Sequence, residues 1–513
     1  MADKALKVLF VSAEVAPFSS VGGLSQVSYF LPRTLAKTGV DIRIFTPKYG
    51  TINESKFPVR MEIEGLRIPT GEIENSDHPT DLVANVKTFR EKKMGFPPVY
   101  FLENQEYFEK RANVYGYSDD HIRFGLLSRG ALEFIRSQNF IPDLVHLNDW
   151  HTAYFANYFQ DYCSDDPILK KTAILLSVHN LFQGNFDFEH AKDLDFDDGK
   201  GKLASLYSER FLKQNALKRG VMRADVVNTV SETYASEIIL DEYGKGLHNL
   251  FKEVRGKVFG VLNGLDYKDF NPQTDKLIRR NYNYRNLNLR SENKADLQKQ
   301  FNLTIDPAIP ILCFWGRMDT QKGIDLIMDT AVFILDEMNI QLVVMGQPGE
   351  DRYRQFFTEL EKNYPGQVGT HLMSDFALPH RIVSGADMLL MPSKYEPGGI
   401  VAVEALRYGC IPIVRSTGGL ADIVINFDPA KNIGNGFTFK KYTRENFLVA
   451  IVRALETYKN SVTWNRIVKR AMQADFSWNK SAQSYLDLYN RAIEFRREKL
   501  QPNPPMAFKQ TVS

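Results

Sequence analysis

Hydrophobic residues recur along the chain in short continuous runs, each followed by a turn and then by a longer stretch with helical spacing. Val8–Val11 is the first run, and its length is typical of a strand buried on both faces of a parallel sheet. A turn with two glycines follows at Val21–Leu24, and a helix is predicted to about Thr38. Val40–Phe45 is predicted to be the next strand.

The same alternation continues through two successive series of elements. Strands of the first series are predicted at Pro98–Leu102, Leu144–Leu147, Thr172–Val178, Val226–Thr229 and Val258–Val261, with helices that include His121–Ser137 and Tyr207–Met222. Strands of the second series are predicted at Pro310–Trp315, Ile340–Met345, Gln367–His371, Asp387–Met391 and Ile411–Val414, with helices at Gly323–Asp336, Asp351–Lys362, Pro379–Gly385 and Val401–Tyr408. This alternation predicts an α/β fold with two doubly wound, Rossmann-like domains.

A turn signal, Asn263-Gly264, marks the predicted domain boundary. We expect a first domain over residues 1–262, a second over 263–477, a helix over 478–500 and a mobile tail over 501–513. The polar segment Thr274–Lys299 is expected to add little to a core. Residues 53–95 carry mixed charges and short β-like runs, which are typical of an insertion and indicate no chemistry.

Composition narrows the class of protein. Of 513 residues, 43% are hydrophobic and 25% are charged, which are ordinary values for a globular chain of two or three domains. The formal net charge of +2 gives no sign of a nucleic-acid partner, and the apolar runs are too short to span a membrane. Three widely spaced cysteines exclude a disulfide scaffold, and with no signal-peptide pattern near the N-terminus we expect a cytoplasmic protein.

Two similar glycine turns follow predicted strands, one in each domain. The first contains Gly22 and Gly23, and the second contains Thr417, Gly418 and Gly419. Such turns let backbone amides approach a ligand, and a helix N-terminus favours an anion. The dinucleotide fingerprint is absent, and either turn alone could be a tight connection. Together they indicate a ligand site between two sets of strand ends.

Charged residues surround two further turns of the second domain. Arg317 follows a strand and Lys322 begins a helix, so the two cations can converge on a phosphate, although solvated turn charges are the ordinary alternative. Glu396 precedes a turn at Gly398-Gly399-Ile400, and Glu404 follows within the next helix. Amides at the start of that helix could face a phosphate or a sugar. Otherwise, Glu396 is a helix N-terminal charge and Glu404 a solvated residue.

Polar groups also follow strands of the first domain. His146, Asp149 and His151 lie at one strand end and His179 at the next. A metal site at these histidines lacks a third ligand at a standard spacing. The acidic stretch Asp193–Asp198 lacks a preceding strand and is interpreted as an exposed loop.

In family order, these motifs resemble the bacterial glycogen synthase/starch synthase family of GT-B glycosyltransferases. The resemblance runs from Lys7 to about Tyr489. It rests on Val11-Ser12-Ala13-Glu14 with Gly22-Gly23-Leu24, Asn148-Asp149-Trp150-His151-Thr152, Val178-His179-Asn180-Leu181, Asn228-Thr229-Val230-Ser231, Leu262-Asn263-Gly264-Leu265-Asp266, Gly316-Arg317, Gln321-Lys322-Gly323, Gly385-Ala386-Asp387-Met388, Glu396-Pro397 and Thr417-Gly418-Gly419-Leu420-Ala421-Asp422.

The resemblance implies two Rossmann-like domains that face each other across a deep cleft, with the last helix returning to the first domain. It implies transfer of glucose from ADP-glucose or UDP-glucose to the non-reducing end of an α-1,4-glucan, with retention of configuration and without a metal or other cofactor. The implied catalytic residues are Glu396, His179, Arg317, Lys322 and Asp149. The implied donor-binding residues are Gly22, Gly23, Asn263, Gly398, Gly399, Ile400, Thr417, Gly418, Gly419 and Tyr115, and the implied acceptor-side or sugar-side residues are Glu14, His151 and Glu404.

Several positions depart from the family pattern. Ser20 stands where the family usually has Lys, Gln26 where it has Asp, and Gly398 where it has Cys. The pair Glu396 and Glu404 is more similar to the related family that contains sucrose synthase. Two alternatives therefore stay open: another retaining GT-B transferase that acts on a small acceptor, and a non-catalytic glucan-binding protein. The sequence does not indicate an oligomeric state.

Overall fold

The computed structural model describes residues 5–90, 95–181 and 199–501, so the predicted acidic loop Asp193–Asp198 and nearly all of the predicted tail lie outside the described residues. The described chain divides into two compact units. Unit 1 contains the residues up to Thr229, Ile238–Val261 and the residues from Ser481, and unit 2 contains Val230–Glu237 and Leu262–Lys480. The segment Val230–Glu237, which falls inside the predicted first domain, thus belongs to unit 2.

The helices alternate with the strands in both units. The α-helices of the described residues, numbered in chain order, are α1 (Gly23–Lys37), α2 (Asp120–Ser137), α3 (Trp150–Cys163), α4 (Glu209–Lys213), α5 (Ala216–Arg223), α6 (Glu232–Glu237), α7 (Asp241–Gly244), α8 (His248–Glu253), α9 (Arg290–Gln300), α10 (Ile324–Glu337), α11 (Asp351–Asn363), α12 (Leu378–Gly385), α13 (Ile400–Tyr408), α14 (Gly418–Ile423), α15 (Arg444–Tyr458), α16 (Ser461–Gln473) and α17 (Trp478–Leu500).

Within the described residues, unit 1 is built on a nine-stranded sheet with the order β3-β4-β5-β2-β1-β6-β7-β8-β9. Its strands are β1 (Lys7–Val11), β2 (Asp41–Pro47), β3 (Arg60–Pro69), β4 (Asp81–Phe89), β5 (Val99–Glu103), β6 (Leu144–Asn148), β7 (Ala173–Val178), β8 (Val226–Thr229) and β9 (Val258–Gly260). All pairings are parallel except those of β3 with β4 and of β4 with β5. The parallel part confirms the predicted α/β sheet.

The antiparallel strands β3 and β4 were not predicted as strands. They extend the edge of the sheet inside residues 53–95, and β3 leaves Arg60 and Met61 exposed while burying Leu66 and Ile68. An edge strand that is exposed to solvent over part of its length has no continuous run of apolar residues. The hydrophobic pattern was therefore too weak to reveal it.

The predicted helix Tyr207–Met222 is wrong as a single element. It is two helices, α4 and α5, separated at Gln214 and Asn215. The Asn215 side chain accepts a hydrogen bond from the Lys218 amide and so begins a new helix. An Asn at this position satisfies one of the amides that a helix start leaves without an intrahelical partner.

The last helix, α17, packs on unit 1 through two buried tyrosines. The Tyr489 hydroxyl lies 2.8 Å from His146 Nδ1, and Asn228 Nδ2 donates to the Tyr485 hydroxyl over 3.0 Å. The second ring nitrogen of His146 lies 2.8 Å from the Ser177 hydroxyl. With both ring nitrogens occupied, His146 is a structural group that joins the helix to β6 and β7.

In unit 2, the described residues form a six-stranded parallel sheet with the order β12-β11-β10-β13-β14-β15. Its strands are β10 (Ile311–Trp315), β11 (Gln341–Met345), β12 (Val368–His371), β13 (Met388–Met391), β14 (Ile411–Arg415) and β15 (Phe437–Phe439). Five of these six confirm predicted strands. Beyond the predicted series, β15 is added at the edge.

The expectation that Thr274–Lys299 adds little to a core is wrong. Ile278, Tyr282 and Leu297 belong to the hydrophobic core of unit 2. Lys294 is also buried, and its ammonium group donates to Asp387 Oδ2 over 2.8 Å. A charged residue such as Lys294 can be buried when it is paired with an opposite charge. The composition of a segment does not show such pairing, so this segment was interpreted as polar and exposed.

In each sheet, the strand order reverses direction at one central pair of strands. In unit 1, β1 lies between β2 and β6, and in unit 2, β10 lies between β11 and β13. Parallel α/β sheets bind ligands outside the carboxyl ends of the strands at such a reversal. The turns after β1, β6, β10 and β13 are therefore the places to look for a site. None of the helices in the described ranges is both long and apolar enough to cross a bilayer.

We expect Asp387→Ala to destabilise unit 2 strongly. The Asp387 carboxylate accepts from Lys294 and from the Ile311 amide, and Arg290 lies 3.6 Å away, so its loss leaves buried cations without a partner. Breaking a buried pair in this way costs about 3–5 kcal/mol. The measurement is the shift of the urea midpoint.

The control for this variant is Glu292→Ala, which removes a half-exposed partner of Arg280 in the same segment. An exposed pair contributes at most about 1 kcal/mol. Equal midpoint shifts in the two variants would contradict the role given to Asp387.

Candidate active site

A buried carboxylate organises the first glycine turn. Glu14 follows β1, and its Oε2 accepts hydrogen bonds from the amides of Val21 (2.6 Å) and Gly22 (3.2 Å). The Tyr115 hydroxyl donates to Glu14 Oε1 over 3.1 Å. Burial raises the pKa of Glu14, and these three hydrogen bonds oppose that rise. Two amides expected near a ligand anion are thus held by a carboxylate of the protein itself.

No packing requirement within the described protein explains the two glycines of this turn. A Cβ atom on Gly22 would have Glu14 Oε1 at 3.8 Å as its nearest neighbour, and one on Gly23 would meet nothing within 4 Å. Neither residue has a positive φ. The backbone is therefore open on this side, as it would be where another molecule approaches closely.

Asp149 links the ends of β6 and β7. It has a φ of 56° although it is not a glycine, and its Oδ1 accepts a 2.7 Å hydrogen bond from the His179 amide. His179 Nε2 lies 3.0 Å from Asn148 Oδ1. Burial lowers the pKa of His179, although the charge of Asp149 opposes this change. Such a backbone conformation in a non-glycine residue is concentrated at functional sites.

His151 lies in an aromatic environment beside Tyr115, with 4.8 Å between the ring centroids. Burial lowers the pKa of His151 to about 3, with further contributions from the charges of Arg123 and His179. The imidazole is therefore neutral at ordinary pH. Its Nδ1 is buried and has no hydrogen-bond partner among the described residues. Buried polar atoms are usually paired, so the unpaired nitrogen marks His151 as a candidate for a functional role.

Among the described residues, the group of possible metal ligands does not include His146, His151 or His179. Glu54, Glu103 and Glu109 bring carboxylate oxygens within 4.8 Å of one another. Two ammonium groups already balance them: Lys48 lies 3.0 Å from Glu54 and 3.6 Å from Glu109, and Lys87 contacts Glu103 at 2.5 Å. The three carboxylates are therefore already paired with positive charge from the protein.

In unit 2, Lys322 and Glu396 form an ion pair at the reversal of the sheet. Lys322 follows β10 and Glu396 follows β13, and Lys322 Nζ lies 2.6 Å from Glu396 Oε2. The Ser393 hydroxyl donates to the same oxygen over 3.3 Å. Glu396 is only 6% exposed. The carboxylate thus relies on one ammonium group and one hydroxyl.

Arg317 lies on the turn between β10 and Lys322. Its side chain is 67% exposed and contacts two residues of its own turn, Asp319 at 3.4 Å and Gln321 at 3.1 Å. These are exposed contacts, which hold a side chain weakly. Arg317 can therefore reorient at little cost, whereas Lys322 is held by a buried partner.

The second glycine turn differs physically from the first. A Cβ atom on Gly418, which has a φ of +46°, would lie 2.1 Å from the Glu396 carbonyl oxygen, and one on Gly419 would lie 2.2 Å from the Gly398 carbonyl oxygen. The Gly419 amide donates to the Glu396 carbonyl over 2.8 Å. These glycines therefore let the turn pack on the backbone around Glu396. The sequence predicts that the amides of this turn approach a ligand, whereas in the structure the Gly418 and Gly419 amides donate to acceptors of the protein.

The helix α13 begins at Ile400, after Gly399 at a φ of +73°. Gly398 has only Val230 Cγ2 near its Cβ position, at 3.8 Å, and Ile400 is exposed. One turn further, burial raises the pKa of Glu404 to about 7, although the charge of His380 and a hydrogen bond from Trp315 oppose this shift. Glu404 is thus a partly buried carboxyl group rather than the solvated residue of the ordinary alternative.

Asn263 lies where the chain enters unit 2 after β9. Its Oδ1 is buried without a hydrogen-bond partner among the described residues. The adjacent Gly264 packs against Trp478, whose backbone would lie 2.5 Å from a Cβ at this position. The turn is therefore fixed by packing while the Asn263 side chain keeps an unused acceptor.

The sequence prediction missed Glu237. Its carboxylate accepts from the Thr417 hydroxyl (2.9 Å) and from the Gly418 amide (3.0 Å). The available signal was its position, six residues after the motif Asn228-Thr229-Val230-Ser231. Nothing in the sequence indicates that this stretch packs on the second domain.

Comparison with known proteins shows which family this chain resembles. The model of the starch synthase catalytic domain matches residues 7–253, and that of the glycosyl transferases group 1 matches residues 297–471. A glycogen synthase from Thermotoga petrophila is 37% identical over 95% of this chain and 99% of its own length. One from Clostridium beijerinckii is 37% identical over 94% of this chain and 98% of its own.

The chain belongs to the glycogen synthase/starch synthase family. The solved catalytic domain of starch synthase IV from Arabidopsis thaliana, bound to ADP and acarbose, is 30% identical and superposes with a TM-score of 0.79, covering 96% of this chain and 100% of that chain. A sucrose-phosphate synthase from Thermosynechococcus elongatus, at 18% identity and a TM-score of 0.57, shares the fold. The protein is thus a glycosyltransferase with two Rossmann-like GT-B domains, as the motifs predicted.

The two glycine turns should respond differently to a methyl group. We expect Gly418→Ala to lower stability by at least about 2 kcal/mol, because it combines a left-handed backbone with a clash against the Glu396 carbonyl. Gly22→Ala, at a φ of −139° with open space, should change stability by less than about 0.5 kcal/mol. Thermal unfolding of both variants tests this contrast, and similar losses of stability would refute it.

Proposed function

We propose that this protein is an α-1,4-glucan synthase that transfers glucose from ADP-glucose, or from UDP-glucose, to the non-reducing end of a glucan with retention of configuration. The observation that carries the proposal is the ion pair between the partly exposed Lys322 and the buried Glu396 at the strand reversal of unit 2. Related glycogen synthases, and a starch synthase solved with ADP and acarbose, support the same donor and acceptor classes.

The chemistry of the proposed reaction requires both charges of this pair. When the bond between glucose and the diphosphate breaks, negative charge grows on the phosphate and positive charge on the sugar. In our proposal, Lys322 stabilises the first and Glu396 the second. Their mutual contact of 2.6 Å reduces the cost of keeping the Glu396 carboxylate buried before the donor binds.

Arg317 is proposed to complete the balance of charge on the diphosphate. Its guanidinium is exposed and is held only by residues of its own turn, so it can bind phosphate oxygens without leaving a buried partner uncompensated. With two cations available, we propose that the reaction needs no divalent metal. The amides at the start of α13, at Gly399 and Ile400, are the proposed donor contacts beside them.

Unit 1 supplies the proposed groups for the sugar and the acceptor. The open backbone at Gly22 and Gly23 favours close approach of the donor. The neutral imidazole of His151 can exchange hydrogen bonds with a sugar hydroxyl. Asp149 is proposed to hold His179 in place through the 2.7 Å contact with its amide.

A donor and acceptor screen tests the proposal. The purified full chain is incubated with ADP-glucose or UDP-glucose, with glycogen or with fructose, in the presence and absence of EDTA. We expect glycogen elongation by α-linked glucose that EDTA does not abolish. Transfer to fructose alone would support the small-acceptor alternative, and the absence of both transfer and donor hydrolysis would support a non-catalytic binder.

We expect Glu396→Gln to lower kcat by about 10²–10³-fold while leaving ADP affinity nearly unchanged. The substitution keeps the shape but removes the charge that faces the sugar in the proposed transition state. Glu359→Gln, at an exposed position on α11 of the same unit, is the matched control. Near-normal turnover of folded Glu396→Gln would remove Glu396 from its proposed role.

A further inference from the structure

The short helix α6 belongs to unit 2, although the chain on both sides of Val230–Glu237 belongs to unit 1. Two carboxylates fasten it to α14. Asp422, near the end of α14, accepts from the Thr233 amide over 3.0 Å and from the Thr233 hydroxyl over 2.5 Å. Glu237, at the end of α6, binds the start of α14. Each helix therefore places a carboxylate on the beginning of the other.

The Glu237 contacts are bidentate. The Thr417 hydroxyl donates to its two oxygens over 2.9 and 3.2 Å, and the Gly418 amide lies 3.1 and 3.0 Å from the same atoms. Burial raises the pKa of Glu237, while the Gly418 and Thr417 hydrogen bonds and the charge of Arg415 oppose the rise and Asp422 adds to it. Hydrogen bonds to a charged group are stronger than neutral ones.

The turn that Glu237 holds is the one on which Glu396 rests. Gly418 lies so close to the Glu396 carbonyl that a Cβ would be 2.1 Å from its oxygen. The Gly419 amide donates to the carbonyls of Glu396 (2.8 Å) and Pro397 (3.1 Å). Movement of Gly418 and Gly419 should therefore move the backbone of Glu396, because one hydrogen bond to Glu396, a second to the adjacent Pro397 and close packing of Gly418 join the two turns.

We propose that Glu237 is a positioning residue for the proposed glycosyl transfer: by fixing the Thr417–Gly419 turn, its carboxylate sets the position of Glu396. This inference rests on the function proposed above for Glu396. Among the described contacts of Glu237, none is a hydrogen bond or ion pair with the Glu396 carboxylate or with Lys322, so we infer that it acts through the backbone. The pair Thr233–Asp422 holds α6 and α14 together independently. Loss of Glu237 should thus loosen the turn and leave the helix pair in place.

The test is a double-mutant cycle between positions 237 and 396. We expect Glu237→Ala to lower kcat by about 10- to 100-fold, as a misplacement of about 1 Å can do, while ADP affinity stays within about threefold. In the Glu396→Gln background, the same substitution should cause no further loss, because residues that act through one group are not additive. Glu237→Gln, which retains an acceptor for the Gly418 amide, should keep more kcat than Glu237→Ala.

The matched control is Asn460→Ala, which removes the side-chain cap of α16 elsewhere in unit 2. Loss of such a cap costs about 1 kcal/mol and should leave kcat unchanged. Should Glu237→Ala not fold, Glu237→Asp replaces it: it keeps the charge but withdraws the carboxylate by one methylene, and it should also lower kcat.

The two proposals fail in different ways. An unchanged kcat in a folded position-237 variant, or a loss that adds fully to that of Glu396→Gln, overturns the role of Glu237 and leaves Glu396 in place. Near-normal turnover of Glu396→Gln itself overturns the proposed function instead.

Discussion

A carboxylate that leaves water must find hydrogen-bond donors or a cation, and this requirement organises the polar side chains of both units. Glu14 takes the Val21 and Gly22 amides, and Glu396 takes the Lys322 ammonium group. Asp149 takes the amide of His179. The donors to Glu14 lie in its own turn, just before α1, whereas the donors to Glu396 and Asp149 follow other strands, β10 and β7. Within each unit, the carboxylates therefore hold turns in place, and the candidate functional residues of that unit lie on these turns.

The sheets determine which turns can take part. Each sheet reverses its strand order beside a central strand, β1 in unit 1 and β10 in unit 2. In parallel α/β sheets, ligands generally bind in the crevice beside the turns that follow the strands at such a reversal. Glu14 follows β1, Asp149 follows β6, Lys322 follows β10 and Glu396 follows β13. The order of the strands in each sheet therefore determines where these four charged residues lie.

The two Gly-Gly-Leu turns show how one sequence pattern can serve two physical purposes. At Gly22 and Gly23 the space beside the backbone is open, and the nearby Ser20 hydroxyl pairs with the Ser25 hydroxyl at 2.7 Å. At Gly418 and Gly419 the space is filled by carbonyl groups near Glu396. The sequence pattern does not show which of these two situations applies. The fold shows whether the space beside each glycine is open or filled by the protein itself.

The sequence by itself determined the α/β class, the two series of strands and the family, because buried parallel strands leave continuous apolar runs and the motifs lie at strand ends in a fixed order. It also identified Lys322 and Glu396 as candidate residues. Only the tertiary structure shows which distant parts of the chain pair with each other. Lys294 and Asp387 are buried together, β3 and β4 extend one edge of the unit 1 sheet, and Glu237 packs on the turn after β14. These partners are separated by many residues along the chain. Local patterns carry no information about such contacts, because they depend on which elements the folded sheets bring together.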